Sequence, residues 1–329
     1  MRQEHLKFLV CPECKSDLEL LGGKEYPSHS VESGNLKCCN CESEYPIVRN
    51  VPRFVPLDNY ANNFGLEWTK HARTQYDAYS GIDMSEKRFF EETRWDRDLR
   101  EQIILEVGSG SGRFTEQAAS TGAMIVSMDY SCAVEANYAS NGDRDNVLIV
   151  QAELYKMPFR ESSFDKVFCF GVLQHTPDVR KSFLTLPHYL KSGGGIALDV
   201  YRKSSGIRGF LKTKYYVRPI TKRMNPNTLY RILTHYIKAM WPICRLLNKL
   251  PYGRMINRAL LIVDYRGRFD LKEGMLKEWA LLDTFDALSP AYDEPQTLET
   301  VKEWLGNAGL RNIDVHYGYG GIEGHATKS

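Results

Sequence analysis

The stretch that decides the fold of this chain is IILEVGSGSGR, residues 103–113. A short apolar run leads into a glycine-rich turn, and a segment with helical composition follows the turn. The sequence therefore predicts a strand, a loop and a helix in direct succession. Gly108, Gly110 and Gly112 let the backbone of this loop approach a ligand closely, because no Cβ stands in the way.

The spacing of the glycines indicates which kind of ligand the loop binds. A dinucleotide fingerprint, G-x-G-x-x-G, would need its third glycine at position 113, where this chain has Arg113. The loop follows the pattern E-x-G-x-G-x-G instead, with Glu106 two residues before the first glycine. A carboxylate at this place suits a ligand that carries cationic groups and no phosphate. S-adenosylmethionine has that chemistry, and a glycine-rich turn without a ligand is the alternative.

Three further apolar runs follow the loop along the chain. The run MIVSMD ends at Asp129, where an acidic side chain can accept hydrogen bonds from both hydroxyls of a ribose. The run VLIV leads to Glu153 and Leu154, just before a Met-Pro-Phe element. The run FDKVFCFG contains Phe170 and leads to His175. Strands that alternate with helices in this way predict a parallel-dominated α/β sheet.

In these residues the chain resembles the class I S-adenosylmethionine-dependent methyltransferases, of the kind similar to quinone-biosynthesis methyltransferases. The resemblance is strong over residues 100–200 and weak over residues 295–329. It implies a Rossmann-like sheet with an antiparallel last strand, a ribose contact from Asp129 and an adenine contact from Glu153. Glu153 stands where the family more usually has Asp, and Met157 where it usually has Leu. The predicted cofactor-binding residues are Glu106, Gly108, Gly110, Gly112, Asp129, Tyr130, Glu153, Leu154 and Phe170.

Four cysteines near the N-terminus have the spacing of a structural zinc site. Cys11 and Cys14 form one C-x-x-C pair, and Cys38 and Cys41 form a second. Cys39 is the spare cysteine, because it lies too close to Cys41 for the same kind of knuckle. A redox-active pair is the alternative, and it leaves the second pair unexplained.

The sequence around these cysteines also carries a resemblance. The segments LVCPEC, YPIV and VPRFV resemble the small zinc-ribbon activator protein of eukaryotic tRNA and release-factor methyltransferases. Here that protein would be fused to its methyltransferase. The ribbon is expected to cover apolar surface as a scaffold, and contact with a substrate, including nucleic acid, is the alternative.

The net charge of +2 hides a strong asymmetry along the chain. Residues 202–270 hold 16 Lys and Arg and only two acidic residues. The rest of the chain holds 27 Lys and Arg and 39 acidic residues. Apolar residues recur at helical spacing within this basic segment, and Pro226, Pro242 and Pro251 are expected to break it into short helices. Three interpretations compete: a lid that attracts an anionic substrate, an amphipathic helix on a membrane surface, and a phosphate-binding surface for RNA.

Four regions follow from these patterns. They are a zinc-ribbon domain (1–56), an aromatic connector (57–99), a methyltransferase core (100–201 with 291–329) and a basic helical insert (202–290). The sequence shows neither an apolar run as long as a membrane span nor an N-terminal signal segment, so we expect a cytoplasmic protein. The connector is expected to cap the cofactor, or to pack the ribbon onto the core.

Methyl transfer has no obligatory catalytic residue, because the reaction depends mainly on holding the acceptor in line. His175 is the best candidate for a general base, and Tyr76 and Asp77 are weaker candidates. Asp283 and Asp286 are expected to face the pocket from the insert. We therefore expect a methyltransferase that acts on an oxygen or nitrogen of a small or carrier-linked, anionic metabolite. An RNA methyltransferase and a non-catalytic activator are the alternatives, and the acceptor itself is left open.

Overall fold

The computed structural model describes residues 1–22, 30–56, 59–203 and 213–329, without the side chains of residues 254 and 258. The remaining residues belong to the predicted ribbon, connector and insert, and the expectations for them lie outside the described part. Within the described part, no helix is both long and apolar enough to cross a bilayer.

The N-terminal region is a small antiparallel sheet that follows a 3₁₀ helix, Gln3–Phe8. Its strands pair in sequence order, and each pair is antiparallel. The strands are β1 (Leu18–Leu21), β2 (Gly34–Cys38), β3 (Glu44–Val48) and β4 (Val51–Pro52). A sheet this small builds only a modest core, so further crosslinks are expected to stabilise it.

The methyltransferase core is a seven-stranded sheet. Its strands are β5 (Ile103–Val107), β6 (Met124–Asp129), β7 (Val147–Gln151), β8 (Phe164–Cys169), β9 (Leu190–Val200), β10 (Leu310–Tyr317) and β11 (Ile322–Lys328). They lie in the order β10-β11-β9-β8-β5-β6-β7. Strand β11 runs antiparallel to both neighbours, which confirms the predicted antiparallel last strand.

Helices flank this sheet and connect it to the ribbon. In chain order they are α1 (Asn62–Lys70), α2 (Asp77–Ser80), α3 (Met84–Thr93), α4 (Arg113–Ser120), α5 (Val134–Asn141) and α6 (Val179–Thr185). Helix α6 ends at Thr185 and gives way to a 3₁₀ turn, Leu186–Tyr189. Pro187 explains the change, because proline has no N–H to continue an α-helical ladder.

The insert is helical, as expected, and a last helix returns the chain to the core. These helices are α7 (Lys214–Thr221), α8 (Pro226–Leu247), α9 (Gly253–Ala259), α10 (Glu273–Leu288) and α11 (Leu298–Asn307). The prediction of a helix break at Pro242 was wrong, because Pro242 lies inside α8, which is 22 residues long. Buried side chains on both sides of Pro242, among them Ile237 and Cys244, hold the helix against its neighbours.

The zinc-ribbon region extends the central sheet at its β7 edge. Arg53 pairs in parallel with Gln151, and the Phe54 N–H donates to the Gln151 carbonyl over 2.8 Å. The buried Arg53 guanidinium donates to Gln151 Oε1 over 2.9 Å and to Glu135 Oε1 over 3.1 Å. Because an unpaired edge strand invites aggregation, this contact protects β7.

Candidate active site

A cavity of about 500 Å³ opens at the carboxyl ends of the parallel strands. Residues that directly follow β5, β6, β7, β8 and β9 line its floor, and residues of α1 line one wall. This is the edge at which open α/β sheets bind ligands. Residues of the insert also line the cavity: Lys214, Val263, Tyr265, Arg268, Phe269, Trp279, Asp283, Asp286 and Ala287. A role of the insert as a lid remains a prediction.

The three predicted glycines have different surroundings. Gly108 and Gly110 line the cavity, and Gly110 lies under the indole of Trp68, where a Cβ would come within 3.0 Å of Nε1. Gly112 does not line the cavity, and a Cβ there would come within 2.1 Å of Asn137 Oδ1. Gly112 is therefore required for packing of the loop on α5, and its predicted contact with the cofactor remains a prediction.

Glu106 lies beneath the loop and does not line the cavity. Its buried carboxylate accepts hydrogen bonds from the hydroxyls of Thr115 and Ser127, the latter over 2.7 Å. Burial raises its pKa to about 7, and the two hydrogen bonds oppose that rise. Glu106 thus ties β5 to α4 and β6, and its predicted contact with the cofactor remains a prediction.

Asp129 lies at the end of β6 and lines the cavity. Its carboxylate accepts from the N–H groups of Gly110 over 2.9 Å and Ser131 over 2.8 Å, which ties the acid to the glycine loop. Tyr130 also lines the cavity, and its ring packs 4.8 Å from that of Tyr60. Burial raises the pKa of Tyr130, and the nearby Glu153 carboxylate adds to the rise.

Three more predicted cofactor residues follow β7 and β8. Leu154 and Phe170 line the cavity, whereas Glu153 does not. Ala152, on the other side of Glu153, also lines the cavity. The structure therefore brings the backbone around Glu153 to the cavity, and an adenine contact of its carboxylate remains a prediction.

His175 is nine-tenths buried and lines the cavity between two aromatic rings. Its ring centroid lies 5.2 Å from that of Phe64 and 5.3 Å from that of Tyr201. We assign the proton of a neutral ring to Nδ1, because Nδ1 lies 3.0 Å from the Tyr292 carbonyl, which can only accept. Nε2 is then a hydrogen-bond acceptor, and it is buried without a partner among the described residues.

Tyr76 and Asp77 do not line the cavity, so the structure gives no support to their predicted catalytic roles. The Tyr76 hydroxyl donates to the Ser111 carbonyl over 2.7 Å and so supports the glycine loop from behind. The Asp77 carboxylate accepts from the N–H groups of Ser85 over 2.7 Å and Glu86 over 2.8 Å. These are the free donors in the first turn of α3, which explains the acid at this position.

A group of buried carboxyl groups lines the cavity. Asp283 accepts from the Tyr265 hydroxyl, and Asp286 accepts from the Tyr201 hydroxyl over 3.1 Å. Burial raises the pKa of Asp283 to about 6. Burial also raises the pKa of Glu67 well above its usual range, and the charges of Asp286 and Asp283 raise it further. As expected from the sequence, Asp283 and Asp286 line the cavity.

Sequence reasoning missed Glu67 and Arg113 as side chains of this site. Glu67 is 1% exposed, and its Oε2 has no partner among the described residues. Arg113 follows the loop, lines the cavity and carries a buried Nη1 that likewise lacks a partner in the described part. A signal did exist for Glu67, since it is an acid within the aromatic cluster FGLEW, residues 64–68.

The predicted cysteine ligands come together in the N-terminal region. The sulfur atoms of Cys11, Cys14, Cys38 and Cys41 lie within 4.8 Å of one another. The N–H group of Cys41 donates to the Cys38 sulfur over 3.4 Å. Cys39 is exposed and lies outside the cluster, as its spacing predicts. The cluster is compatible with a zinc ribbon.

The strand order, the glycine loop after β5 and the acid after β6 define a class I, Rossmann-like methyltransferase fold. Comparison with known protein families agrees with this class. Residues 105–198 match the family described as methyltransferase domain, and residues 2–50 match the Trm112p-like protein family. The chain therefore joins a Trm112p-like domain and a methyltransferase domain in one polypeptide.

Individual relatives match parts of the chain. Over 157 residues the chain is 29% identical to phosphoethanolamine N-methyltransferase 2 of Caenorhabditis elegans, a match that covers 43% of this chain and 35% of the relative. Over 273 residues it is 21% identical to an uncharacterized chloroplastic methyltransferase of Arabidopsis thaliana, with 76% of each covered. The chain thus spans about a third of the length of the first relative and three quarters of the second.

A solved structure is also similar. It is phosphoethanolamine N-methyltransferase 2 of Haemonchus contortus in complex with phosphomonomethylethanolamine and S-adenosylhomocysteine. The TM-score is 0.45 at 16% sequence identity, and the match covers 83% of this chain and 48% of that chain.

Proposed function

We propose that this protein is an S-adenosylmethionine-dependent methyltransferase that acts on a small or carrier-linked metabolite. The observation that supports this most is a single cavity that joins the glycine loop, Asp129 and His175 at the carboxyl ends of the strands. The matched methyltransferase domain covers the same residues.

The polar groups of the cavity fit the cofactor. Asp129 can accept hydrogen bonds from two ribose hydroxyls, and its carboxylate is already held by the Gly110 and Ser131 N–H groups. The buried Arg113 Nη1 suits the carboxylate of the methionine part. When bound, S-adenosylmethionine supplies an electrophilic methyl group, and its sulfur takes the electron pair of the broken bond. The loop and Asp129 would hold the cofactor there.

We further propose that the acceptor carries an amino nitrogen. Glu67, Asp283 and Asp286 all line the cavity, and a cationic or hydrogen-bond-donating group would satisfy the buried Glu67 Oε2. The structure describes several basic side chains of the insert, and of these only Lys214 and Arg268 line the cavity. Lys214 pairs with Asp293 over 2.8 Å. The basic charge of the insert therefore gives less support to an anionic acceptor than its sequence suggests.

An acceptor that arrives as an ammonium ion must first lose one proton to free the lone pair that forms the bond to the methyl carbon, and we propose His175 as the base that takes this proton. Its Nε2 is buried and has no hydrogen-bond partner among the described residues, while Phe64 and Tyr201 hold the ring. The carboxyl groups would orient the nitrogen, and Tyr201 positions Asp286 through its hydroxyl. Orientation and proton removal together account for the rate enhancement expected here.

Binding of S-adenosylmethionine is the first test of the methyltransferase proposal. S-adenosylmethionine should raise the thermal transition of the protein and bind with measurable heat. Asp129→Ala should weaken binding by about tenfold or more, because a hydrogen bond to a charged group is lost. Asp143→Ala, at an exposed acid of the same domain, should leave the affinity unchanged. Absence of binding heat with the unaltered protein would refute the methyltransferase proposal.

The acceptor is tested with a matched pair of compounds. Because one relative is named a phosphoethanolamine N-methyltransferase, phosphoethanolamine is a suitable first acceptor, and its analogue with a hydroxyl in place of the amine is the control. Transfer of a labelled methyl group to the amine alone supports nitrogen methylation, whereas equal transfer to both would contradict it. Transfer to RNA instead would favour the RNA alternative, and binding without transfer to any acceptor would favour a non-catalytic role.

We also propose that Cys11, Cys14, Cys38 and Cys41 hold a structural Zn²⁺ ion. A tetrahedral site with Zn–S bonds of about 2.3 Å separates its sulfur atoms by about 3.8 Å. The sulfur pairs here lie 3.3 Å (Cys14–Cys38) and 3.6 Å (Cys11–Cys41 and Cys14–Cys41) apart. The four thiolates therefore fit the ion in number, type and spacing.

A further inference from the structure

The insert presents an unusually apolar surface to solvent. Ten of the fourteen large apolar side chains that are exposed in the described residues lie between positions 215 and 256. They are Tyr215, Tyr216, Ile220, Ile232, Ile243, Leu246, Leu250, Tyr252, Met255 and Ile256. Exposed aliphatic side chains concentrated in one region mark an interaction surface rather than random exposure.

Helix α8 carries the centre of this surface. Ile232, Ile243 and Leu246 are 50%, 47% and 63% exposed, respectively. At 100° per residue they fall within a sector of about 60° on the helix. The inner side of α8 is a separate stripe that includes Leu233 and Trp241, and it packs on the neighbouring helices. The outer stripe is thus not part of the core.

A row of basic residues runs beside the outer apolar stripe. Arg231, Lys238 and Arg245 recur every seven residues on α8, and all three are exposed. None of them forms an ion pair with another described residue, in contrast to Lys214 and Arg218, which pair with Asp293. Their charges are therefore free to act on a partner.

The charge of this region has one sign. Between residues 213 and 263 the sequence holds ten Lys and Arg and no acid. A second copy of the same face would bring like charges together, which disfavours self-association. A surface that combines aliphatic side chains with a basic border fits the boundary of a bilayer, where aliphatic groups meet acyl chains and cations meet lipid phosphates.

We propose that α7, α8 and α9 dock this protein on the surface of an anionic membrane. With 22 residues, α8 would lie in the plane of the interface, with Ile232, Ile243 and Leu246 among the acyl chains. Ile220 at the end of α7 (69% exposed) and Met255 on α9 (59% exposed) would extend the contact. The docking surface does not depend on the proposed methyl transfer, because it lies on the solvent side of the helices.

Vesicle sedimentation with the full chain tests this proposal. The protein should bind phosphatidylcholine vesicles that contain about 30% phosphatidylglycerol, and bind neutral vesicles at least about tenfold more weakly. Raising the salt from about 0.1 M to about 0.5 M should reduce the binding, because the Debye length shortens. Equal binding to neutral and anionic vesicles, or to neither, would overturn the proposal.

Paired variants separate the two parts of the surface. Ile243→Ser/Leu246→Ser and Lys238→Gln/Arg245→Gln should each lower vesicle binding by about tenfold or more. The matched controls are Leu21→Ser, at an exposed apolar residue of the ribbon, and Lys302→Gln, at an exposed lysine of α11; both should bind like the unaltered protein. Thermal stability and S-adenosylmethionine binding should not change in the variants, which shows that they fold.

Other occupants of the surface give distinct results. A band shift with RNA that is lost in Lys238→Gln/Arg245→Gln, without vesicle binding, would assign the surface to nucleic acid. A concentration-dependent dimer that Ile243→Ser/Leu246→Ser dissolves, without vesicle binding, would assign it to a second copy. Either outcome overturns membrane docking and leaves the proposed methyl transfer untouched.

Discussion

At the scale of single residues, the cavity combines two kinds of polar group. Arg113 Nη1 and His175 Nε2 are buried and without a partner in the described part of the chain. Asp129, by contrast, is already bound by backbone N–H groups of the loop. Buried polar atoms without partners are costly, so those that line a cavity indicate where ligand atoms belong.

His175→Gln should lower kcat by about a hundredfold, because a general base contributes a factor of this order. The affinity for S-adenosylmethionine should change little, since the imidazole acts on the acceptor. Steady-state kinetics together with calorimetry measure both quantities. His188→Gln, at an exposed histidine, is the control. An unchanged kcat in His175→Gln would assign His175 a packing role.

Glu67 should make the stability of the protein depend on pH. In the unfolded chain its pKa is near 4.5, and in the folded protein burial raises it well above that value. The folded state therefore binds more protons above pH 4.5, and stability falls as the pH rises. Glu67→Gln removes this loss, so its Tm should exceed that of the unaltered protein by more at pH 8 than at pH 5.

Thermal unfolding at both pH values measures the effect of Glu67→Gln. Glu101→Gln, at an exposed acid, should show no such trend. A constant difference in Tm between Glu67→Gln and the unaltered protein at the two pH values would mean that Glu67 ionises in the fold as it does in the unfolded chain.

At the scale of elements, neighbouring segments meet through a few buried contacts. Strand β4 leads into Arg53, whose backbone pairs with Gln151 at the edge of β7. The Arg53 side chain is 2% exposed and binds Glu135 over 3.1 Å, whereas Arg49 binds the same carboxylate over 3.0 Å and is 72% exposed. The two arginines share a partner and differ in burial, which makes them a matched pair.

Arg53→Met should lower the free energy of unfolding by about 2 kcal/mol, because the hydrogen bonds of the buried guanidinium to Gln151 and Glu135 are lost. Arg49→Gln should lower it by less than about 1 kcal/mol, because solvent screens an exposed pair. Urea unfolding measures both values. Equal effects of the two changes would show that burial does not strengthen the Arg53 contact.

At the scale of the whole molecule, the ribbon, the core and the insert share surfaces. Val10 of the ribbon donates its N–H to the Pro158 carbonyl over 2.9 Å, and the Lys15 ammonium donates to the Met157 carbonyl over 2.7 Å. The insert closes the cavity above the core. Because these surfaces are continuous, we expect the ribbon and the core to unfold together.

Zinc removal tests this coupling. Cys38→Ser should lose the ion and lower the Tm of the whole chain, whereas Cys39→Ser should keep about one zinc ion per chain and an unchanged Tm. A chelator should lower the Tm of the unaltered protein as Cys38→Ser does. Atomic absorption and calorimetry measure both effects. Two separate transitions, with only the lower one affected, would contradict the coupling.

Much of the site was predictable because its signals are local. The order of strand, loop and helix, the acid at position 129 and the pairing of Cys38 with Cys41 all depend on residues that are close in sequence. Roles that depend on distant neighbours were not predictable. Tyr76 and Asp77 look like catalytic groups in a polar and aromatic segment, yet they support the glycine loop and α3.

The sequence by itself determined the class of fold, the glycine loop and the cysteine cluster, because each depends on the spacing of residues that are close in the sequence. Only the tertiary structure decided which way the insert presents its basic side chains. Its acids Asp283 and Asp286 face the cavity, whereas Arg231, Lys238 and Arg245 face solvent beside an apolar stripe. The physical reason is that composition gives only the total charge of a segment. The packing of each helix decides which charged side chains face the cavity and which face solvent.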